Sequence, residues 1–238
     1  MVDGLSPVNG LSLEWKHCPD GVELVELPPP PPTRVSRIAG ATRERGLSPP
    51  SPPLRVRPFA MKNSNSPGGM SFRARTSRRY QIKLEAADLE DPVVIHFINA
   101  RDDSDRAQFL GRFGFLDHVD QSSCEYGIVS IGQSIMRGLL VSAGSAEPNV
   151  AAINEVLHRW RIDLFPVLEG RRLSFGLGSL HGLMLREIVM VVENEARFTT
   201  CQHCDKAFLT GPTTGRRSHA AYCSDRCRVA AMRARTAG

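Results

Sequence analysis

Four cysteines near the end of the chain stand as two close pairs, Cys201-x2-Cys204 and Cys223-x3-Cys227, with eighteen residues between the pairs. In a reducing compartment, paired thiols read as metal ligands before disulfides. Two ligands close in sequence form a tight knuckle, whose following backbone amides can donate hydrogen bonds to sulfur. Zinc favours four tetrahedral donors, and thiolates suit it. The spacing therefore predicts one zinc ion held by Cys201, Cys204, Cys223 and Cys227. Unligated thiols or two local disulfides are the alternatives, and His203 or His219 could each replace a cysteine. A catalytic zinc keeps an open coordination position, whereas four cysteines close the shell, so the expected role is structural. A stretch this short cannot build a core without help. Phe208, Leu209 and Tyr222 are placed to give it a small one around the metal.

The elements that position these thiols follow from their neighbours. Gly211, Pro212 and Gly215 are turn residues and predict a short hairpin in the gap between the pairs. Ser224 is a natural N-cap for a helix over 225–235, which places Cys227 in the first turn. Partial positive charge at a helix N-terminus stabilises thiolate there. Knuckle, hairpin and helix together make a treble-clef-like module, preferred here to a zinc ribbon. Four thiolates on one zinc leave two negative charges, which Lys206, Arg226 and Arg228 could offset.

The chain carries a net charge of +5 with a pI of about 9.1, a modest bias toward acidic partners. The bias is concentrated at the end. From Arg197 onward eight basic residues face only Asp205 and Asp225. Arginine grips phosphate bidentately. The candidate nucleic-acid contacts are Arg216, Arg217, Arg226, Arg228, Arg233 and Arg235. On the last helix Arg226 and Arg233 share one side, Arg228 and Arg235 another, with Val229 and Met232 between the rows. The same pattern suits a surface that binds DNA, one that binds another protein, or a helix that only closes the fold.

The body that carries this module reads as α+β over 79–198, mainly helical with a short strand and a β-hairpin. Residues 93–98 are short, apolar and β-branched, and predict a buried strand. Ser104 is the expected N-cap of a helix bearing Phe109, Leu110 and Phe113, ended by Gly114. Ile128, Ile131, Ile135 and Leu139 recur at helical spacing over 124–141. Pro148 opens the next helix, with Val150, Ile153, Leu157 and Trp160 on one face. Two apolar runs, 163–168 and 173–177, predict the hairpin, with Pro166 placing the first strand at a sheet edge. Residues 180–194 form a long helix with a broad apolar face leading into the cysteines.

Residues 1–78 read as a disordered, Pro/Arg-rich region, with proline runs at 28–32 and 48–53. Such a run could also serve as a proline-recognition ligand, or the native start could be Met61 or Met70. The longest apolar stretch, over 177–192, is broken by His181, Arg186 and Glu187, so no membrane span is expected. There is no secretory leader pattern, and the expected location is cytoplasmic.

No catalytic constellation is evident, and the chain is not expected to be an enzyme. It has neither a phosphate loop followed by lysine nor His-Glu-x-x-His. His96, in an apolar run, reads as a core histidine. Asp102, Asp103 and Asp105 read as a solvated lead into a helix, with a site as the alternative. Cys124 reads as an ordinary half-buried thiol.

The layout resembles the bacterial stress-induced transcription regulators that join an ABATE-type domain to a CGNR-type zinc finger. The matching features are Phe97-Ile98-Asn99, Phe109-Leu110, Cys201 through Phe208, Arg216-Arg217, Tyr222-Cys223-Ser224 and the basic tail after Cys227. The resemblance spans about residues 92–235. It implies DNA binding by the finger and sensing or dimerisation by the body. Where that family has Cys-Gly-Asn-Arg, this chain has Cys227-Arg228-Val229-Ala230, so only the four cysteine positions carry over.

Overall fold

The structure is a computed structural model, and it describes residues 11–27, 69–86, 88–117, 121–160, 164–169 and 172–236. The first strands come from the part of the sequence expected to be disordered. β1 (Leu11–His17), β2 (Val22–Glu26) and β3 (Met70–Ala74) precede β4 (Tyr80–Ala86). β1 runs antiparallel to β4 from Leu11↔Ala86 to His17↔Tyr80. β2 pairs antiparallel with β3, from Val22↔Ala74 to Glu26↔Met70. The expectation of disorder through residue 78 is therefore corrected for 11–27 and 69–78. Leu13, Cys18, Val22 and Phe72 are all buried in the core, so this segment removes enough apolar surface from water to hold itself. The proline runs and Met61 lie outside the described residues.

A second correction concerns residues 93–98. They form not a strand but helix α1 (Val93–Asn99). Val93, Val94, Phe97 and Ile98 are buried, the i, i+1, i+4, i+5 pattern of one helix face. Pro92 takes the N-cap position in an extended conformation and offers no side-chain cap. Glu187 supplies it instead: its two carboxylate oxygens accept from the N–H groups of Val93 and Val94 at 2.8 and 2.7 Å. A distant carboxylate thus satisfies the orphan donors of a short, β-branched helix.

α2 (Asp103–Phe113) buries Phe109, Leu110 and Phe113 and ends at Gly114, whose φ of 86° suits glycine. Its N-cap is Asp102 rather than Ser104, accepting from the N–H of Asp105 at 2.8 Å. β5 (Ser123–Glu125) joins β2 and β3 in a three-stranded sheet of order β2-β3-β5. It leads into α3 (Tyr126–Ala143), whose buried face is Val129, Gly132, Met136, Leu139, Leu140 and Ala143. The expected isoleucine row is rotated off that face: Ile131 is exposed, and Ile128 and Ile135 are only partly buried. α4 (Val150–Trp160) starts two residues after Pro148, where Asn149 Oδ1 accepts from Ala152 N–H at 3.0 Å. It buries Ile153 and Trp160, and Val150 is exposed.

β6 (Leu164–Glu169) and β7 (Arg172–Leu177) form the expected hairpin, paired from Leu164↔Leu177 to Glu169↔Arg172. The four-stranded sheet runs β4-β1-β7-β6, so Pro166 does lie on an edge strand. α5 (Leu180–Glu193) is capped by Ser179 and is mostly buried, packing on α1, α3 and the four-stranded sheet. It is the central element of the core. No helix among the described residues is long and apolar enough to cross a membrane.

The cysteine module follows. β8 (Arg197–Thr200) and β9 (Ala207–Thr210) pair antiparallel from Arg197↔Thr210 to Thr200↔Ala207. The hairpin therefore flanks the first cysteine pair, rather than filling the gap after it. That gap is a loop closed by the Gly211↔Arg216 bridge, with Gly211 and Gly215 at φ values of 118° and 66°. α6 (Asp225–Thr236) ends the described chain and buries none of its residues.

Candidate metal centre

The turn between β8 and β9 is the knuckle. Asp205 takes a left-handed φ of 56°, and its N–H donates to the Cys201 carbonyl at 3.0 Å. This reversal lets Cys201 and Cys204 aim their sulfurs at one point. Across from them, Ser224 Oγ accepts from Cys227 N–H at 3.3 Å and sets the first turn of α6, as its sequence position predicts. Cys223 precedes that turn and Cys227 lies in it.

The four sulfur atoms all lie within 4.8 Å of one another. Cys204 Sγ is 3.6 Å from Cys223 Sγ, and Cys223 Sγ is 3.5 Å from Cys227 Sγ. A tetrahedron of thiolates with metal–sulfur bonds of about 2.3 Å has edges of about 3.8 Å, so the set fits a four-coordinate ion. These separations are far beyond a disulfide bond, and all four cysteines are free. No histidine belongs to the cluster among the described residues. His203 serves through its backbone, whose N–H points at the Cys201 sulfur.

The surroundings favour thiolate at Cys201. Burial pushes its thiol up, but the backbone N–H groups of Cys223, His203 and Cys204 outweigh that and bring it down to about 6. The Lys206 N–H aids Cys204 in the same way, although burial still leaves that thiol raised. Burial, with three neighbouring sulfurs competing for protons, pushes Cys223 up to about 12. A metal cation at the centre of the four sulfurs would displace their protons and stabilise the thiolate forms.

The module is fastened to the body at several points. Asn99, at the end of α1, holds Ala207 through a reciprocal pair of hydrogen bonds, each 2.8 Å. Arg101 donates to the Asp205 carbonyl in the knuckle. Leu89 N–H donates to the Thr213 carbonyl at 3.1 Å. All four residues of β9 are buried. Phe208 and Leu209 are both buried, as expected of them, and Leu209 belongs to the core of the body; Tyr222 is only partly buried. Sequence reading missed Asn99, Arg101 and Glu187 as architectural residues, although Phe97-Ile98-Asn99 stood out as a motif.

The six candidate arginines divide in two. Arg216 is turned inward: Nε donates to the Cys223 carbonyl at 3.2 Å, Nη1 donates to the Glu90 carbonyl at 3.3 Å, and its guanidinium lies 5.9 Å from the Phe208 ring centroid. It braces the module against the body. Arg217, Arg226, Arg228, Arg233 and Arg235 are exposed. Arg228 pairs with Asp225 at 3.1 Å, and Arg235 donates to Tyr222 Oη at 3.0 Å. Arg226 and Arg233 have no ion pair among the described residues.

The other sequence candidates separate from this centre. His96 is not a core histidine: one-third exposed on α1, it contacts Asp91 at 2.7 Å. The acidic cluster is spent on a helix start, with Asp102 as the cap, Asp103 paired to Arg106, and Asp105 accepting from Arg101 N–H. Cys124 is fully buried in β5 rather than half-buried; burial, then Asp117 and Glu125, push its thiol up to about 12. Comparison of the chain with family models, curated proteins and solved structures gave no match.

Proposed function

We propose that the four-cysteine centre holds Zn²⁺ and that the chain is a cytoplasmic transcription regulator whose last helix contacts DNA. The observation that carries this reading is the setting of α6. Its first turn is tied to the centre by Cys227, none of its residues is buried, and Arg226, Arg228, Arg233 and Arg235 all face solvent. A positively charged helix held at one end by a rigid anchor suits the phosphate backbone. The four cysteine positions shared with CGNR-type regulators support the same role. The knuckle, hairpin and cysteine-bearing helix fit a treble-clef-like arrangement, and the closed thiolate shell fits a structural rather than catalytic metal.

Duplex binding measured by fluorescence anisotropy over a salt series tests the reading. Affinity should fall with salt at a log–log slope of roughly −0.9 per neutralised phosphate. Replacing Arg226 and Arg233 by alanine should weaken binding to all sequences and flatten the slope by about one unit per lost contact. A metal chelator should abolish binding, because α6 loses its anchor. Binding that ignores both the arginines and the chelator would contradict the reading.

A second reading has its own observation. Val229 and Met232 are exposed on α6, at 39% and 59%, between the arginine rows. Such a face also fits a protein partner. That partner would be lost on replacing Met232 by a polar residue, a change that leaves phosphate contacts intact.

A further inference from the structure

The face that α3 turns to solvent has no partner among the described residues. Gly127, Ile131, Ser134, Gly138 and Val141 are all exposed. Their spacing of four, three, four and three residues keeps them on one narrow strip along about 21 Å of helix, the spacing of a helix-packing seam. Ile131 is 41% and Val141 54% exposed. Half-buried Ile128 and Ile135 border the strip on one side. The strip carries no charge. Arg137 is the one charged residue of α3, and its guanidinium is drawn back to the Ile98 carbonyl at 2.9 Å. A helix this apolar all round is ordinarily buried all round.

The glycines of the strip are a second sign. A glycine within a helix costs stability relative to alanine. Gly132 has a reason inside the fold: a Cβ there would meet His181 and Phe97 at 3.5 Å. Gly127 and Gly138 have no such reason, because nothing lies within 4 Å of a Cβ at either position. In the isolated chain those two glycines only cost helix stability, and the space above them is open.

What fits that space follows from the order of the strip. A two-fold interface requires that residue i meet j wherever j meets i. Laid antiparallel on a copy of itself, with the axis at Ser134, the strip sets Ile131 opposite Gly138 and Val141 opposite Gly127. Each large side chain then falls on a residue that has none, and Ser134 meets its own copy. The Ser134 hydroxyl already donates to the Ser130 carbonyl at 3.2 Å, so covering it strands no donor. We propose that α3 is a homodimerisation helix, packed antiparallel on α3 of a second copy of this chain. Burial of the two exposed aliphatic side chains drives the association, and no charged side chain has to leave water for it.

Sedimentation velocity of the full chain, metal-loaded, tests this. One helix face is a small interface, so the chain should be monomeric at about 1 µM and largely dimeric by about 200 µM. Ser134→Glu sets two carboxylates against each other on the axis and should weaken the dimer at least about tenfold. Ser134 is exposed, so the change leaves the fold intact, and an unchanged melting temperature at the lower concentration checks that. Ser134→Cys should form a disulfide with its own copy in oxidised glutathione, because residues on the axis come within the roughly 4.4–6.8 Å a disulfide spans. Ile131→Cys should not, because its two copies stand about 10 Å apart along the helices. The unsubstituted chain controls for the native thiols. Three results would overturn the proposal: a chain still monomeric at the higher concentration, a dimer that Ser134→Glu leaves intact, or crosslinking of the Ile131→Cys chain as efficient as that of Ser134→Cys.

Discussion

Asn99 and Ala207 hold each other by two hydrogen bonds: the Asn99 amide donates to the Ala207 carbonyl, and the Ala207 N–H donates to Asn99 Oδ1, each at 2.8 Å. An asparagine side chain here does what a neighbouring strand would do for the inner face of β9. Ala207 is only 2% exposed, so water cannot replace the lost partner. Asn99→Ala should cost about 1–3 kcal/mol in urea unfolding, the penalty for leaving buried backbone groups unpaired. Metal content should not change, because Asn99 touches no sulfur. Loss of metal from this variant would mean that the docking contact also builds the centre.

Glu187 makes stability depend on pH. Burial pushes its carboxyl up to about 8 from an ordinary 4.5, the N–H groups of Val94 and Val93 pull it back, and Asp91 pushes it further up. An acid whose folded pKa is raised holds its proton more tightly when folded. Its contribution is therefore fully present below about 4.5 and is lost as pH rises through about 8. Glu187→Gln cannot titrate. It should be the less stable protein at pH 5, and the gap between the two should narrow by pH 9. A gap that does not change with pH would contradict this.

Two glycines of α3 and its C-cap should respond in opposite directions to alanine. A Cβ on Gly144 would sit 2.3 Å from the backbone nitrogen of Phe198 on β8, an atom that cannot step aside. Gly144→Ala should destabilise by about 1–3 kcal/mol through overpacking. Gly138 has nothing within 4 Å of its would-be Cβ. Gly138→Ala should stabilise the helix by roughly 0.5–1 kcal/mol. Paired thermal melts would show the contrast, and destabilisation of both would refute the packing account.

Elements with local signals were legible from sequence. The cysteine spacing, Ser224 as a cap, Gly114 as a stop and the hairpin around 170 all depend on neighbours in the chain. α1 was not legible, because its cap comes from Glu187, 94 residues from Val93, and an apolar run broken only by His96, such as Val93–Ile98, shows no period to separate strand from helix. The N-terminal strands were hidden by composition. Yet Leu11-Ser12-Leu13-Glu14 and Tyr80-Gln81-Ile82-Lys83-Leu84 alternate at the strand period, a signal the nearby prolines outweighed. Arg216 looked like its exposed neighbour Arg217; only the tertiary fold, by bringing Glu90 and Phe208 beside it, turns it inward.

Native mass spectrometry of the full chain, with metal identified by elemental analysis, tests the four-cysteine centre most directly. One zinc per chain should be found, and Cys204→Ser should remove nearly all of it while hydrogen exchange in α6 and the 211–222 loop rises sharply. A chain that purifies without metal and still shows α6 and that loop protected would contradict the account.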